Sequence, residues 1–341
     1  MDSTELSDLT ELIQLIKPYL AHPATLLTGF VLASFVMIWR LQSVENKGFE
    51  GTIVGTLIMP YCSGFANLVF VYVMNHTKGG GKAVIENCLV NNVTNLTLIL
   101  GLAALFYGAS PPAKAENKKE KGKSQSTDQL RLYRLDMLLT LVAMFLFTGA
   151  TWALAKDHVL DFYDGLVLIG LFLFWQVLHV FEVMKNNVRK NQSFRWSIIF
   201  DLLVIGVCAY VVYLSVDYLV QWATTAKNPY IKPSNLGWIS GVIMVVPNAL
   251  LALYYAHAGR QDIVVSSQVG DGHICIPMCI GLFALLHNIA IPHFFQLGVW
   301  IILGAGALNF LSIAIWGRLP RVAGLLLLGG YGVFLYKGLG S

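Results

Sequence analysis

A chain of 341 residues that is 56% hydrophobic and only 12% charged has about half the charged fraction of a soluble globular domain. With a mean hydropathy of +0.64, it holds too much apolar surface to hide in one water-soluble core. The net charge of +4 is spread over loops between apolar runs, so no basic face for nucleic acid is expected and the predicted partner is membrane lipid.

A bilayer core of about 30 Å needs about 20 apolar residues per helix. Ten stretches approach this, near 22–42, 51–74, 84–108, 134–156, 162–184, 196–222, 236–257, 264–290, 294–316 and 320–337. The expected fold class is therefore an all-α membrane protein of about ten transmembrane helices.

In chain order, residues 1–21 form an N-terminal segment whose stretch 4–20 (TELSDLTELIQLIKPYL) reads as an amphipathic helix on the surface. No short basic, apolar, small-residue leader precedes the first span, so no cleaved signal peptide is expected. Residues 22–109 carry spans one to three. Residues 110–131 (SPPAKAENKKEKGKSQSTDQLR) are low in complexity, rich in Lys and Pro, and unable to bury enough apolar surface to fold alone. They predict a cytoplasmic linker. Spans four and five follow in 132–190, and spans six to ten in 191–341.

The second span is interrupted at Met59-Pro60-Tyr61 and the seventh at Val246-Pro247-Asn248. Each proline removes a helix donor and clashes with the carbonyl four residues back. Lying about ten residues into its span, each frees backbone oxygens at a depth of about 14 Å, near the midplane. Freed carbonyls persist in a membrane only where they are re-satisfied or line a cavity. Tyr61 and Ser63 in one span and Asn248 in the other become candidate cavity residues, a simple structural kink being the alternative.

The span after each break repeats. At an offset of 180, residues 84–105 align without gaps on 264–285, sharing Val84/Val264, Gly101/Gly281, Leu102/Leu282, Ala104/Ala284 and Leu105/Leu285. Five spans separate the copies, and an odd number reverses the direction of crossing. Two inverted five-helix repeats, interrupted helices and a site near the midplane point to an alternating-access transporter.

Within the first copy Asn87, Asn91 and Asn95 recur every four residues and share a face, with Glu86 at its start. Their counterparts are Ser267, Asp271 and Cys275. Polar stripes of this kind can hydrogen-bond helices together, but such adhesion does not account for Asp271. An ionisable residue inside a span is a functional candidate, and Asp271 could neutralise a cation or carry a proton. His273, two residues on, should point elsewhere, since that step turns the helix by about 200°. Asp201, His179 and Glu182 lie near span ends and predict solvated structural roles, as do His287 and His293. The five cysteines, Cys62, Cys88, Cys208, Cys275 and Cys279, read as small apolar packing residues. A soft-metal route through them and His273 lacks a close ligand pair such as C-x-x-C. Ser, Cys, His and Asp occur without a recognisable catalytic signature, so neither an enzyme nor a cofactor is expected, and no pattern specifies an oligomer.

The repeats resemble the α-repeats of the cation/calcium exchanger superfamily, which includes the sodium/calcium exchangers. That family shows G-T-S-x-P-E in the first repeat and G-N-x-x-G-S-N-x-x-N in the second. Here Pro60, Asn87, Asn92 and Asn95 stand in the first copy, and Pro247, Asp262 and Gly270 in the second. The resemblance implies a secondary antiporter moving an inorganic cation against Na⁺ or H⁺. It also implies acids directly after each proline, where this chain has Tyr61 and Asn248. Hard Ca²⁺ is normally held by six to eight oxygens with carboxylate charge, so this pocket is poorly equipped for calcium, which is implied by the resemblance alone. The alternative is a non-transporting interaction or sensing protein with a vestigial site.

Of the 23 Lys and Arg residues, sixteen fall on one side of a ten-span arrangement and seven on the other. By the positive-inside rule both termini face away from the cytoplasm and residues 110–131 face it. A cysteine placed at Ser124 should therefore resist an impermeant thiol reagent on intact cells and react after permeabilisation. Strong labelling from outside reverses the topology.

Overall fold

The computed structural model describes residues 22–46, 61, 64–77, 79–107, 123–187, 197–225, 235–259 and 261–338. Among the described residues there are ten helices. The first five are α1 (Pro23–Asn46), α2 (Phe65–Asn75), α3 (Gly80–Tyr107), α4 (Lys123–Leu154) and α5 (Phe162–Asn187). The second five are α6 (Ser197–Thr225), α7 (Leu236–His257), α8 (Gln261–His273 continuing through 284), α9 (Phe295–Trp316) and α10 (Arg321–Gly338). Eight are long and apolar enough to cross a membrane. The described part of α2 has 11 residues and α10 has 18. Helix α4 starts at Lys123, so helical structure extends into the end of the low-complexity segment, where Gln129, Leu130 and Arg131 are good helix formers. The amphipathic segment 1–21 and residues 110–122 lie outside the described residues.

The two halves use the same packing. Helix α3 is 78% buried and α8 72%, against 22–50% for the other candidate spans, so these two form the centre. Each carries a π-helical turn, Thr94–Ile99 in α3 and Ile274–Cys279 in α8, again offset by 180 residues. In α3 the Thr97 hydroxyl donates to the Val93 carbonyl. Pro277, its counterpart in α8, has no N–H to offer there. The two copies thus disturb the helix at one place by different chemistry.

Close approach of backbones locks the periphery onto this centre. A Cβ on Gly324 of α10 would lie 2.8 Å from the Gly101 carbonyl oxygen and 3.0 Å from Leu105 N in α3. The mirror crossing puts a Cβ on Gly165 of α5 at 2.8 Å from both Gly281 O and Leu285 N in α8. Small residues allow such van der Waals contact where no hydrophobic effect drives helices together. A two-residue ladder, β1 (Val159–Leu160) against β2 (Ile289–Ala290), ties the α4–α5 and α8–α9 connections at one end.

Helices α1 and α6 pack lengthwise on each other, outside this centre. Asp201 is only 1% exposed, correcting the expectation of a solvated role. Arg40 Nη1 lies 3.4 Å from its Oδ1, and Ser43 Oγ is 3.5 Å from its Oδ2. The antiparallel pairing brings the end of α1 over the start of α6, which a span-by-span reading could not place. His179 is half-buried, His287 and His293 are exposed, and the Glu182 side chain lies outside the described residues.

Replacing Gly165 or Gly324 by Val should cost about 1–3 kcal/mol by overpacking. Gly329→Ala, whose Cβ meets nothing within 4 Å, should not lower stability. Thermal melting of the purified protein checks the pattern, and an unchanged melt for both Val variants contradicts the crossings.

Candidate functional site

The site is assembled where α3 and α8 cross at their π turns. Residues Asn91 and Asp271 occupy equivalent positions just before those turns, and Asn95 and Cys275 equivalent positions within them. Asn95 Nδ2 donates across the interface to Asp271 Oδ2 at 2.8 Å, and along its own helix to Asn91 Oδ1 at 3.0 Å. The Cys275 thiol faces the same Asn91 Oδ1 at 3.8 Å. Each residue of one copy therefore meets the non-equivalent residue of the other. Such a crossed pattern is what a two-fold axis between the helices requires. A π turn, which opens the regular hydrogen-bond ladder, is frequent at functional sites.

All of this is dry. Asn91 and Asn95 are fully buried and Asp271 is 2% exposed. Asn248 of α7 also stands within reach of the Asp271 carboxylate. No Lys, Arg or His ion pair with Asp271 occurs among the described residues. His273 turns away, its Nε2 3.0 Å from the Thr140 carbonyl and its ring packed edge-on against Phe147 and Trp175. Four buried polar atoms here have no hydrogen-bond partner: Asn91 Nδ2, Asn92 Oδ1, Asn95 Oδ1 and Asp271 Oδ1. Three of the four are oxygens. A buried carboxylate without a positive partner is strongly disfavoured unless a proton or a cation joins it.

Asn92 entered the sequence analysis only through the family resemblance, yet it belongs to this centre. Its Nδ2 donates to the Cys88 carbonyl at 2.6 Å, leaving Oδ1 directed at Gly272. Asn92 and Gly272 are themselves repeat equivalents, and any Cβ on Gly272 would collide with that oxygen. The signal was present in the alignment at an offset of 180, as the one place where a large amide faces a residue without a side chain.

Other sequence candidates lie elsewhere. Asn87 is buried but turned toward α7, its Nδ2 2.9 Å from Ser240 Oγ and 3.3 Å from Met244 Sδ. Ser267 is exposed and donates to the Val264 carbonyl of its own helix. Glu86 is buried against Gly237 of α7 and ion-paired with Lys82 at 3.5 Å. Half-buried Tyr61 places its ring at right angles to Phe172, 5.7 Å between centroids. Pro247 is buried inside a continuous α7. Pro60 and Ser63 fall outside the described residues. Cys88, Cys208, Cys275 and Cys279 are free and buried. Among the described residues no group of three or more His, Cys, Asp or Glu side chains is placed to hold a metal ion.

Residues 22–181 match the family described as sodium/calcium exchanger protein. The fold matches solved structures of the sodium-calcium exchanger NCX_Mj. One, soaked with 2.5 mM Na⁺ and 10 mM Sr²⁺, superposes with a TM-score of 0.61 at 16% identity, covering 95% of this chain and 99% of the other. Another, soaked with zero Na⁺ and Ca²⁺, gives 0.60 at 17% identity, with 92% and 98% covered. No curated protein sequence matches the chain. The family match covers just under half of the chain, and the fold over nearly all of it is that of the exchanger structures: an all-α integral multi-pass membrane protein whose ten described helices form two inverted five-helix repeats.

Gly272→Ala should destabilise the protein by about 1–3 kcal/mol through the clash with Asn92. Adding Asn92→Ala should recover most of that loss. If the double variant melts no higher than Gly272→Ala alone, the facing arrangement is wrong.

Proposed function

We propose that the protein is a secondary cation antiporter that works by alternating access, with Asp271 as the charge-bearing residue and Asn91, Asn92 and Asn95 supplying neutral ligands. The observation that carries this reading is the buried Asp271 carboxylate, which has no basic partner among the described residues and one oxygen without a hydrogen bond, at the crossing of two helices that each carry a π turn. A single carboxylate balances one positive charge. The preferred cargo at this centre is a monovalent cation, Na⁺ or H⁺, and calcium is disfavoured. NCX_Mj is a sodium-calcium exchanger by name, and the family matched by residues 22–181 is one of exchangers, which supports a transporter rather than an enzyme; the protein needs no organic cofactor in this scheme.

The electrostatic argument rests on positions 61 and 248, where the family pattern implies acids and this chain has Tyr and Asn. Each missing carboxylate withdraws an interaction on the order of 4 kcal/mol at 4 Å and an effective dielectric of 20. Neutral oxygens do not replace two such contributions. Both termini are assigned to the non-cytoplasmic side by the charge asymmetry of the loops.

A non-transporting role has one observation in its favour, since Asn95 already satisfies part of Asp271 and Asn91 within the protein. Ion flux in sealed proteoliposomes separates the two. Wild type should exchange a monovalent cation, Asp271→Asn should abolish or strongly shift the flux, and Tyr61→Glu with Asn248→Glu should raise calcium affinity. Tight calcium binding by wild type that persists in Asp271→Asn, or the absence of any cation-dependent flux, defeats the proposal.

A further inference from the structure

Three cysteines meet where α3 and α8 cross. Cys88 comes from α3, Cys275 and Cys279 from the π turn of α8, and none of the three is more than 1% exposed. The Cys88 thiol lies within hydrogen-bond reach of both thiols of α8, and Cys275 keeps Asn91 Oδ1 at 3.8 Å. All are free. At the repeat offset of 180 their equivalents are Gln268, Asn95 and Ile99, so symmetry does not generate the cluster and three unrelated positions bring sulfur to one point. Packing alone is served by other small apolar side chains. Thiols that already face each other across a helix interface have one further capacity, because a disulfide forms without backbone movement only where the two side chains point at each other.

We propose that Cys88 and Cys275 form a reversible disulfide that staples α3 to α8 and shuts down exchange under oxidation by a hydroperoxide. The inference rests on the reading of Asp271 as the centre of the transport path. A thiol buried among apolar groups is inert, and these meet water and oxidant only when that centre opens. One thiol, deprotonated on opening, attacks a peroxide oxygen, the O–O bond breaks, and the sulfur becomes a sulfenic acid while the other oxygen leaves as water. The second thiol attacks that sulfur, the S–S bond forms and the S–O bond breaks. The leaving hydroxide takes the thiol proton and departs as a second water. Two thiols and one hydrogen peroxide thus give one disulfide and two waters, the sulfurs losing the two electrons that the peroxide gains.

The staple spans the proposed ion centre. Cys88 stands one turn before Asn91 and Asn92 on α3, and Cys275 one turn after Asp271 on α8. Contracting the contact between them to an S–S bond of about 2.05 Å draws the two helices together there. It also takes the Cys275 sulfur away from Asn91 Oδ1, the oxygen that accepts from Asn95 Nδ2. The neutral ligands around Asp271 therefore change place with the redox state, and a reductant restores them.

The purified full-length protein in sealed proteoliposomes, treated with hydrogen peroxide and then with dithiothreitol, tests the lock. Peptide mass spectrometry should find Cys88 bonded to Cys275, and the oxidised protein should melt at a higher temperature because the bond constrains the unfolded chain. Flux of ²²Na⁺ should fall at least about fivefold, the low end of coupling between linked sites, and return on reduction. Cys88→Ser should form no such bond and keep its flux in peroxide, and Cys88→Ala repeats the test should the serine variant fail to fold. Cys208→Ser, altered on α6, should remain as sensitive as wild type. If peroxide leaves Cys88 and Cys275 unbonded, if the bond forms without loss of flux, or if Cys88→Ser loses flux as wild type does, the lock is refuted and the central site stands. If untreated wild type carries no cation flux, the reading of Asp271 falls and the lock falls with it.

Discussion

A carboxylate buried at the crossing of two helices, with no basic side chain against it, sets the terms for the rest of this molecule. An isolated ionised group in an apolar medium is prohibitively unfavourable, so Asp271 has to be neutral or accompanied. Asn95 gives it one hydrogen bond and Asn91 steadies Asn95. The other carboxylate oxygen is left open. The remaining architecture keeps that opening dry: α3 and α8 are the most buried spans, and glycine contacts from α5 and α10 hold them in place.

Symmetry supplies the geometry and its breakage supplies the chemistry. The crossed contacts Asn95–Asp271 and Cys275–Asn91 are one contact written twice with different residues. The first is a charge-assisted hydrogen bond, the stronger kind. The second is a thiol at 3.8 Å, which adds little. Asn92 against Gly272 breaks the symmetry again, because two amides could not occupy the space on the axis. Identical packing at Gly101/Gly324 and Gly281/Gly165 shows that the frame stays symmetric while the centre does not.

Much of the frame was legible in sequence. Span number and the repeat at an offset of 180 follow from hydropathy and identity alone, and the two π turns fall on that same register, whereas the break expected at Pro247 is absent, since α7 runs through it as one helix. The Asn stripe was less reliable. Each four-residue step advances an α-helix by about 40° beyond a full turn, so Asn87 faces Ser240 while Asn91 faces the centre. The same drift leaves Ser267 exposed. Spacing also could not show that Ser34 of α1 and Asn67 of α2 border one small cavity with Asn248 of α7. Asp201 was misplaced for a related reason: its partner Arg40 is 161 residues away. Long-range pairing decides such residues, and a one-dimensional pattern does not contain it.

In an inverted-repeat transporter, exchanging the conformations of the two halves converts one access state into the other. With equal charges on both repeats the two states would present the ion with similar surroundings. Here the carboxylate belongs to α8 alone, and α3 contributes only amides. Whichever half opens, the charge stays with the second repeat, and the ion meets water either past Asp271 or past Asn91 and Asn95. If Asp271 carries the cation as proposed, the two faces bind it with different strength. On that reading the acid retained by one repeat sets an asymmetry of affinity between the two faces, while the gradients of the exchanged ions set the direction of net flux.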